Sequence, residues 1–231
     1  MVSVITSTVR QEFIDNVFQN FECQLWEDKE LIIILNRNDM DITEWKEKAS
    51  GKENIQIYQL PQHYTLGDCL NFGVEKANYD YIAKFDDDDY YSPYYLKTML
   101  PIFNEVDTDI IGKTTFYAYM NNEKKLIIKR PGKEHTFTKW IAGGTIIFKK
   151  AVYETVKFGK RRVGSDVDFL KDCLNKGFKI YAGSKNNYVM IRRNSREHTW
   201  KIDNDLFMRR KGKIVAYTND YKDITTKDDI Y

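Results

Sequence analysis

The sequence predicts an α/β fold: a Rossmann-like, mostly parallel sheet flanked by helices, with a small mixed sheet region and a C-terminal extension. Two observations carry this. Short aliphatic or β-branched runs alternate with helical apolar spacing through the first 104 residues, and such alternation builds a parallel sheet through right-handed crossovers. The 231 residues, 42% hydrophobic and 14% aromatic, also suffice for one sizeable core plus an appendage. The expected division is a main domain over 1–205 and an extension over 206–231.

Each element has a local reason. Val2 to Thr6 is β-branched and reads as a strand, followed by Phe13, Ile14, Val17, Phe18 and Phe21 at helical spacing. Leu31 to Leu35 is a continuous aliphatic run leaving through Asn36-Arg37-Asn38-Asp39, the pattern of a strand buried on both faces. Thr65 and Asp68 can form a capping box for a helix carrying Leu70, Val74 and Ala77. Tyr81 to Phe85 returns to strand, and Ser92-Pro93 starts one helix with apolar Leu96, Met99, Leu100 and Phe103. Beyond residue 105 the expected strands are Ile110 to Tyr119, Lys125 to Arg130, Thr145 to Phe148 and Phe178 to Tyr181, with a helix from Ser165 closed by Gly177.

Composition excludes several classes. Lys and Arg number 36 against 34 Asp and Glu, so no global charge draws the chain to nucleic acid, and no nucleic-acid partner is expected. The longest aliphatic run is far too short to span a bilayer, and Met1 to Ile5 lacks a basic leader region, so a cytoplasmic protein is expected. Cys23, Cys69 and Cys173 are odd in number and widely spaced, which predicts reduced thiols. Leu206, Phe207 and Met208 beside Arg209-Arg210-Lys211 suit either peripheral membrane contact or a packed terminal helix.

Local charge is more informative. Residues 80–109 carry a net charge of −6 and residues 185–213 a net charge of +6. Asp86-Asp87-Asp88-Asp89 follows a strand directly and so sits at its carboxyl end, where ligands of such sheets bind. Four adjacent carboxylates repel one another unless a cation compensates. A calcium loop beginning at Asp86 would put Tyr91 where Gly is required and Lys97 where a bidentate Glu is required. The hard oxygen donors suit Mg²⁺ or Mn²⁺ instead.

The run Phe85-Asp86-Asp87-Asp88-Asp89-Tyr90-Tyr91-Ser92-Pro93 resembles the Asp-x-Asp-Asp element of family 2 type glycosyltransferases of the GT-A fold. Val2 to Thr8 resembles the first strand and nucleotide loop of that family, Gly67 to Gly73 its Asn-x-Gly helix, and Gly164 to Leu170 the region of its catalytic base. The resemblance covers about residues 2–205, with four motifs in order.

It implies a metal-dependent, inverting transfer from a nucleotide-diphosphate sugar, by resemblance a UDP-sugar, to a glycan, lipid-linked or protein acceptor. Residue by residue, it implies Asp88 as metal ligand, Asp86 facing the ribose or the metal shell, and Asp89 as a secondary substrate contact. Thr8 and Asp39 become candidates for the nucleotide, Lys84 for the diphosphate, and His198 for completing the metal site. Arg192 and Arg196 could neutralise the leaving diphosphate. Asp166 matches the general base, although Ser165 replaces the acid that usually precedes it and Ser165-x-x-Asp168 also reads as a capping box. Gly143-Gly144 suits close approach of backbone to sugar or an ordinary turn, and Trp140 a sugar platform or core. Departures at Asn36-Arg37, Leu70 and Ser165 keep a non-catalytic nucleotide- or glycan-binding module open. A sugar nucleotidyltransferase is disfavoured because Ser7-Thr8-Val9-Arg10 contains no Gly.

Overall fold

The computed structural model describes residues 1–193, 202–209 and 212–228. β1 (Val2–Thr8), α1 (Ile14–Glu22), β2 (Lys29–Leu35), α2 (Ile42–Lys48), β3 (Ile55–Gln59), α3 (Leu66–Lys76) and β4 (Tyr81–Lys84) form the alternating half. β5 (Tyr90–Tyr91), α4 (Tyr95–Met99), α5 (Ile102–Glu105), β6 (Ile110–Gly112), β7 (Phe116–Met120), β8 (Lys125–Lys129) and β9 (Thr136–Phe137) follow. Then come β10 (Ile147–Lys149), α6 (Ala151–Thr155), α7 (Ser165–Asn175), β11 (Ile180–Ala182), β12 (Tyr188–Arg192), α8 (Asn204–Arg209), β13 (Gly212–Tyr217) and α9 (Lys222–Thr225).

The main sheet has the order β3-β2-β1-β4-β10-β6-β11-β9 and the second the order β13-β8-β7-β12-β5. β3, β2, β1 and β4 are mutually parallel, as the alternation predicts. The period of two along β2 sorts the core. Leu31, Ile33 and Leu35 join Phe18, Phe21 and Trp45 on one face, while Ile32 and Ile34 join Leu70, Val74 and Phe169 on the other. α3 is capped as expected, with Thr65 Oγ1 accepting from Asp68 N–H and Asp68 accepting from Thr65 N–H. All three cysteines are free thiols.

Several expectations are corrected. The helix expected from Ser92 is divided into α4 and α5, because Pro101 cannot donate a helical hydrogen bond. The run from Ile110 to Tyr119 is two strands in different sheets, β6 and β7, joined through Lys113 to Thr115. The sequence reading also passed over α2 and β3. Apart from these corrections, in the segment beyond 205 β13 pairs with β8 and Phe207 is buried against Lys129. No described helix is long and apolar enough to cross a membrane.

Two features of this topology build the site. β10 enters antiparallel to β4, pairing Ile147 with Ala83, so the residues just before β10 arrive at the carboxyl end of β4. β12 pairs antiparallel with β5, immediately after the acidic run. Both place further chain over the binding edge of the sheet.

Candidate active site

The acidic run is a turn between β4 and β5, and its backbone is tied down by α1. Asn16 and Asn20 lie one helical turn apart on the same face. Asn16 Nδ2 donates to the carbonyls of Asp87 and Asp89 at 2.7 and 3.0 Å, and Asn20 Nδ2 donates to the Asp89 carbonyl at 2.9 Å. Tyr91 is fully buried, stacked on Phe85, and its hydroxyl bridges two segments. It accepts the Asp86 N–H at 2.8 Å and donates to the Gly144 carbonyl at 2.6 Å.

Each carboxylate of the run has its own partner. Asp86 pairs with Lys84, whose ammonium is buried. Burial would lower the Lys84 pKa, but Asp86, Asp166 and Asp89 outweigh it and hold it above its ordinary value. Asp87 receives Arg10 and the Thr8 hydroxyl, and Asp88 lies 3.0 Å from Arg10 Nη1. Burial and the neighbouring Asp88 raise the Asp87 pKa, while for Arg10 burial would lower the pKa but Asp87 and Asp88 outweigh it and raise it. Asp89 accepts from Tyr188 Oη at 2.6 Å and from the Ile191 N–H at 2.9 Å. Burial, with Asp88 and Asp86 close by, pushes its pKa well above the usual carboxylate range.

A cavity of about 760 Å³ opens here, lined among others by Asp86, Asp88, Lys84, Arg10, Gly143, Gly144, Asp166, Trp140 and Arg192. The Gly143–Thr145 turn explains how the two sides of the cavity approach. A Cβ on Gly143 would lie 1.8 Å from Asp166 Oδ2, and one on Gly144 would lie 2.7 Å from Asp86 Oδ2. The absence of two side chains thus lets one dipeptide lie against both carboxylates.

Asp166 lies in the first turn of α7, entered through Gly164 at φ +84°. The capping box expected at Ser165 and Asp168 does not form. Gly164 takes the N-cap position, Asp168 pairs with Arg161, and the buried Ser165 hydroxyl has no hydrogen-bond partner among the described residues.

The structure therefore brings together Asp86, Asp88, Asp89, Lys84, Asp166, Gly143, Gly144, Trp140 and Arg192. Asp89 is engaged internally, and Arg192 is buried with its guanidinium over Phe207, 5.2 Å from the ring centre. Trp140 lies on the cavity wall beneath Arg130, whose guanidinium carbon is 3.9 Å from the ring centre. Thr8 and Asp39 are not among the lining residues. Thr8 is buried beneath Asp87, and Asp39 is held on an exposed turn by Arg37. Arg196 and His198 lie outside the described residues.

Sequence reasoning missed Arg10. Its place two residues beyond the end of β1 marks it as a cation at the binding edge, but nothing local links it to a carboxylate 77 residues away.

Among the described residues, no three His, Cys, Asp or Glu side chains form a metal-binding group. The donor set nevertheless fits Mg²⁺ or Mn²⁺, which take one or two carboxylates and complete their shell with water and phosphate oxygens. The cavity lining offers such carboxylates, Asp86 and Asp88 among them.

The chain is 29% identical over 160 residues to the O-antigen biosynthesis glycosyltransferase WbnJ of Escherichia coli, covering 66% of this chain and 63% of that protein. It thus spans about three fifths of that relative's length. S. aureus TarS 1-349 in complex with UDP-GlcNAc superposes with a TM-score of 0.60 at 16% identity, over 83% of this chain and 58% of that one. The mannosyltransferase PcManGT from Pyrobaculum calidifontis, in complex with GDP-Man and Mn²⁺, gives a TM-score of 0.62 at 12% identity, over 86% and 58%. At these identities the structural likeness shows the fold, which is that of GT-A glycosyltransferases. The model of the family described as Glycosyl transferase family 2 matches residues 3–160, more than half of the chain, and the chain belongs to that family.

Proposed function

We propose that the protein is an inverting, divalent-metal-dependent glycosyltransferase that moves a sugar from a nucleotide-diphosphate sugar, a UDP-sugar, to an acceptor hydroxyl in glycan assembly. The observation that carries this reading is the Gly143-Gly144 dipeptide, which lies against Asp166 on one side and Asp86 on the other within one cavity. Family membership and the likeness to WbnJ support it. The acceptor belongs to a glycan, a lipid-linked saccharide or a protein, and the reaction is placed in the cytoplasm with peripheral membrane contact where the acceptor is lipid-linked.

The roles follow from position. Asp86 and Asp88 would hold Mn²⁺ or Mg²⁺, with His198 as a further candidate; the ion would offset charge on the departing diphosphate. Lys84 holds Asp86 in place through its ion pair. Asp166 Oδ2 takes the proton of the acceptor hydroxyl as that oxygen attacks the anomeric carbon opposite the leaving group. One displacement inverts the centre. Trp140 offers an aromatic face for the acceptor sugar, and Arg192 and Arg196 are assigned to the diphosphate.

Titration calorimetry of UDP with Mn²⁺ and with EDTA tests this. Binding that needs the metal is expected, and GDP is the control for donor class. Binding of UDP without release of nucleotide from any UDP-sugar and acceptor would instead favour a non-catalytic binding module, the alternative that Ser165 supports.

A further inference from the structure

Two consecutive threonines between β6 and β7 hold the two parts of one cavity wall. Thr114 Oγ1 donates to the Trp140 carbonyl at 2.6 Å, and Thr115 Oγ1 donates to the Arg130 carbonyl at 2.6 Å. The Lys133 N–H closes the turn after Arg130 by donating to Thr115 Oγ1 at 3.0 Å. Arg130 follows β8 directly and takes φ +48°, a left-handed backbone that is uncommon for a residue with a long side chain. Its guanidinium carbon stands 3.9 Å from the centre of the Trp140 ring. The ring attracts the charge of the guanidinium but offers no oxygen to accept its N–H donors. Among the described residues, Arg130 has no ion pair and none of its side-chain N–H groups donates a hydrogen bond.

The surroundings of Arg130 add positive charge. Lys129 lines the same cavity and donates to the Phe207 carbonyl. Burial, and then the adjacent Arg130, lower its pKa to about 8. The carboxylates on the cavity wall are those of the acidic run and Asp166, and none pairs with Arg130. Aromatic rings lie between. Trp140 is followed by Phe116 at 6.4 Å and Phe116 by Tyr188 at 6.1 Å, and Tyr188 donates to Asp89.

We propose that Arg130 binds an oxyanion of the acceptor, so that the acceptor is a saccharide carrying a carboxylate or a phosphate beside the sugar that meets Trp140. The inference rests on the glycosyltransferase reading above, in which Trp140 faces the acceptor. A guanidinium matches carboxylate and phosphate oxygens two at a time, and Trp140 holds this one in place for such a contact. A partly buried cation without a counter-ion is incompletely solvated, and an anion on the ligand restores what it lacks. The row of rings sets Arg130 apart from Asp86 and Asp88, so its anion is not the donor's diphosphate.

Nuclear magnetic resonance titration of the full chain, saturated with UDP and Mg²⁺, tests this. The chain has four tryptophans, and Trp140→Phe identifies which indole N–H signal belongs to Trp140. The probes are glucose, glucuronate and glucose 6-phosphate, which share one ring and differ in charge at one carbon. At least one anionic sugar is expected to shift the Trp140 signal with an affinity about tenfold above that of glucose, the scale of one hydrogen bond to a charged group. A response to glucose 6-phosphate alone names a phosphate ester, and one to glucuronate alone names a uronate. Arg130→Gln should lower the affinity for the anionic sugar to that for glucose and keep UDP affinity within about threefold, because its anion is separate from the donor. Arg130→Lys keeps the charge without the planar fork and should fall between. Equal affinity for glucose and both anions in wild type, or anion affinity unchanged in Arg130→Gln, overturns the proposal and leaves the donor reading intact. A loss of UDP affinity in Arg130→Gln as large as the loss of anion affinity overturns it too, by moving the cation to the donor. Should Arg130→Gln fail to fold, Arg130→Lys decides by the same comparison. Wild-type protein that binds neither UDP nor GDP overturns the donor reading, and with it the assignment of this anion to an acceptor.

Discussion

Asp166 Oδ2 occupies the space that a side chain at residue 143 would fill, since a Cβ on Gly143 would lie only 1.8 Å from it. The atom in the way ends a short side chain rather than belonging to backbone, so Gly143→Ala is expected to fold and to rotate the Asp166 carboxylate out of place. Turnover should fall about 100-fold, the effect of misplacing a reacting group by about 1 Å, with UDP affinity kept within about threefold. Gly144→Ala should differ. Its Cβ would meet Asp86 Oδ2 at 2.7 Å, Tyr188 Oη at 2.9 Å and Asp89 Oδ2 at 3.1 Å, so metal-dependent UDP binding itself should weaken. Equal loss of UDP affinity in both variants would refute the division of the cavity into a base side and a donor side.

The same division predicts opposite outcomes for two carboxylates. On the proposed roles, Asp88→Ala should abolish the gain in UDP affinity that Mn²⁺ confers, because the cation that would offset the diphosphate charge then loses a ligand. Asp166→Asn keeps shape and loses only the ability to accept a proton, so UDP binding should persist while turnover falls by about 100- to 10,000-fold. Calorimetry and nucleotide release on each variant check both. Retention of turnover in Asp166→Asn would remove it from the role of base.

Much of this arrangement was legible in the sequence where local chemistry decides structure. The capping box at Thr65 and Asp68, the doubly buried β2 and the acidic run at the end of β4 each follow from contiguous residues. α2 and β3 had signals that were passed over: Asp41 caps α2 by accepting the Thr43 N–H, and Ile55-Gln56-Ile57 alternates as a strand does. Arg10 was not legible, because its ion pairs join the end of β1 to the end of β4 and exist only once those strands are neighbours. The same holds for β13, whose pairing with β8 spans more than 80 residues. The acidic run needed cations, as the sequence implied; Arg10 and Lys84 supply two of them from within the chain.

Lys113 gives a prediction away from the cavity. It is fully buried where β6 leaves the main sheet, and its Nζ donates to the Ser184 carbonyl at 2.6 Å. Burial lowers its pKa to about 7, against attraction from Glu134 and with repulsion from Lys185. Between pH 7 and its ordinary value of 10.5 the unfolded chain therefore binds this proton and the folded chain does not. Stability from this group rises with pH across that window, by up to about 1.4 kcal/mol per unit, and is flat below it. Denaturant unfolding at pH 7.5 and 9.0 should show that Lys113→Met removes this rise. An unchanged pH dependence would mean that Lys113 stays protonated in the folded protein.

Tyr91 carries the link between the acidic run and the glycine pair through one oxygen atom. Tyr91→Phe preserves the stack on Phe85 but leaves the Asp86 N–H and the Gly144 carbonyl without this shared partner. Losing it in a buried setting should cost about 1–3 kcal/mol of stability. The functional consequence is separate, because Asp86 and Gly144 can then shift independently, and UDP affinity with Mn²⁺ should fall about tenfold, the equivalent of about 1.4 kcal/mol. Tyr95→Phe is the matched control. Tyr95 is also fully buried and donates to the Thr145 carbonyl at 3.2 Å, a hydrogen bond that engages neither the Asp86 N–H nor the Gly144 carbonyl. It should lose stability while keeping UDP affinity, so thermal unfolding and calorimetry on the two variants separate the loss of a buried hydrogen bond from the loss of the link. Equal UDP affinity in Tyr91→Phe and Tyr95→Phe would show that the Tyr91 bridge only supports the fold.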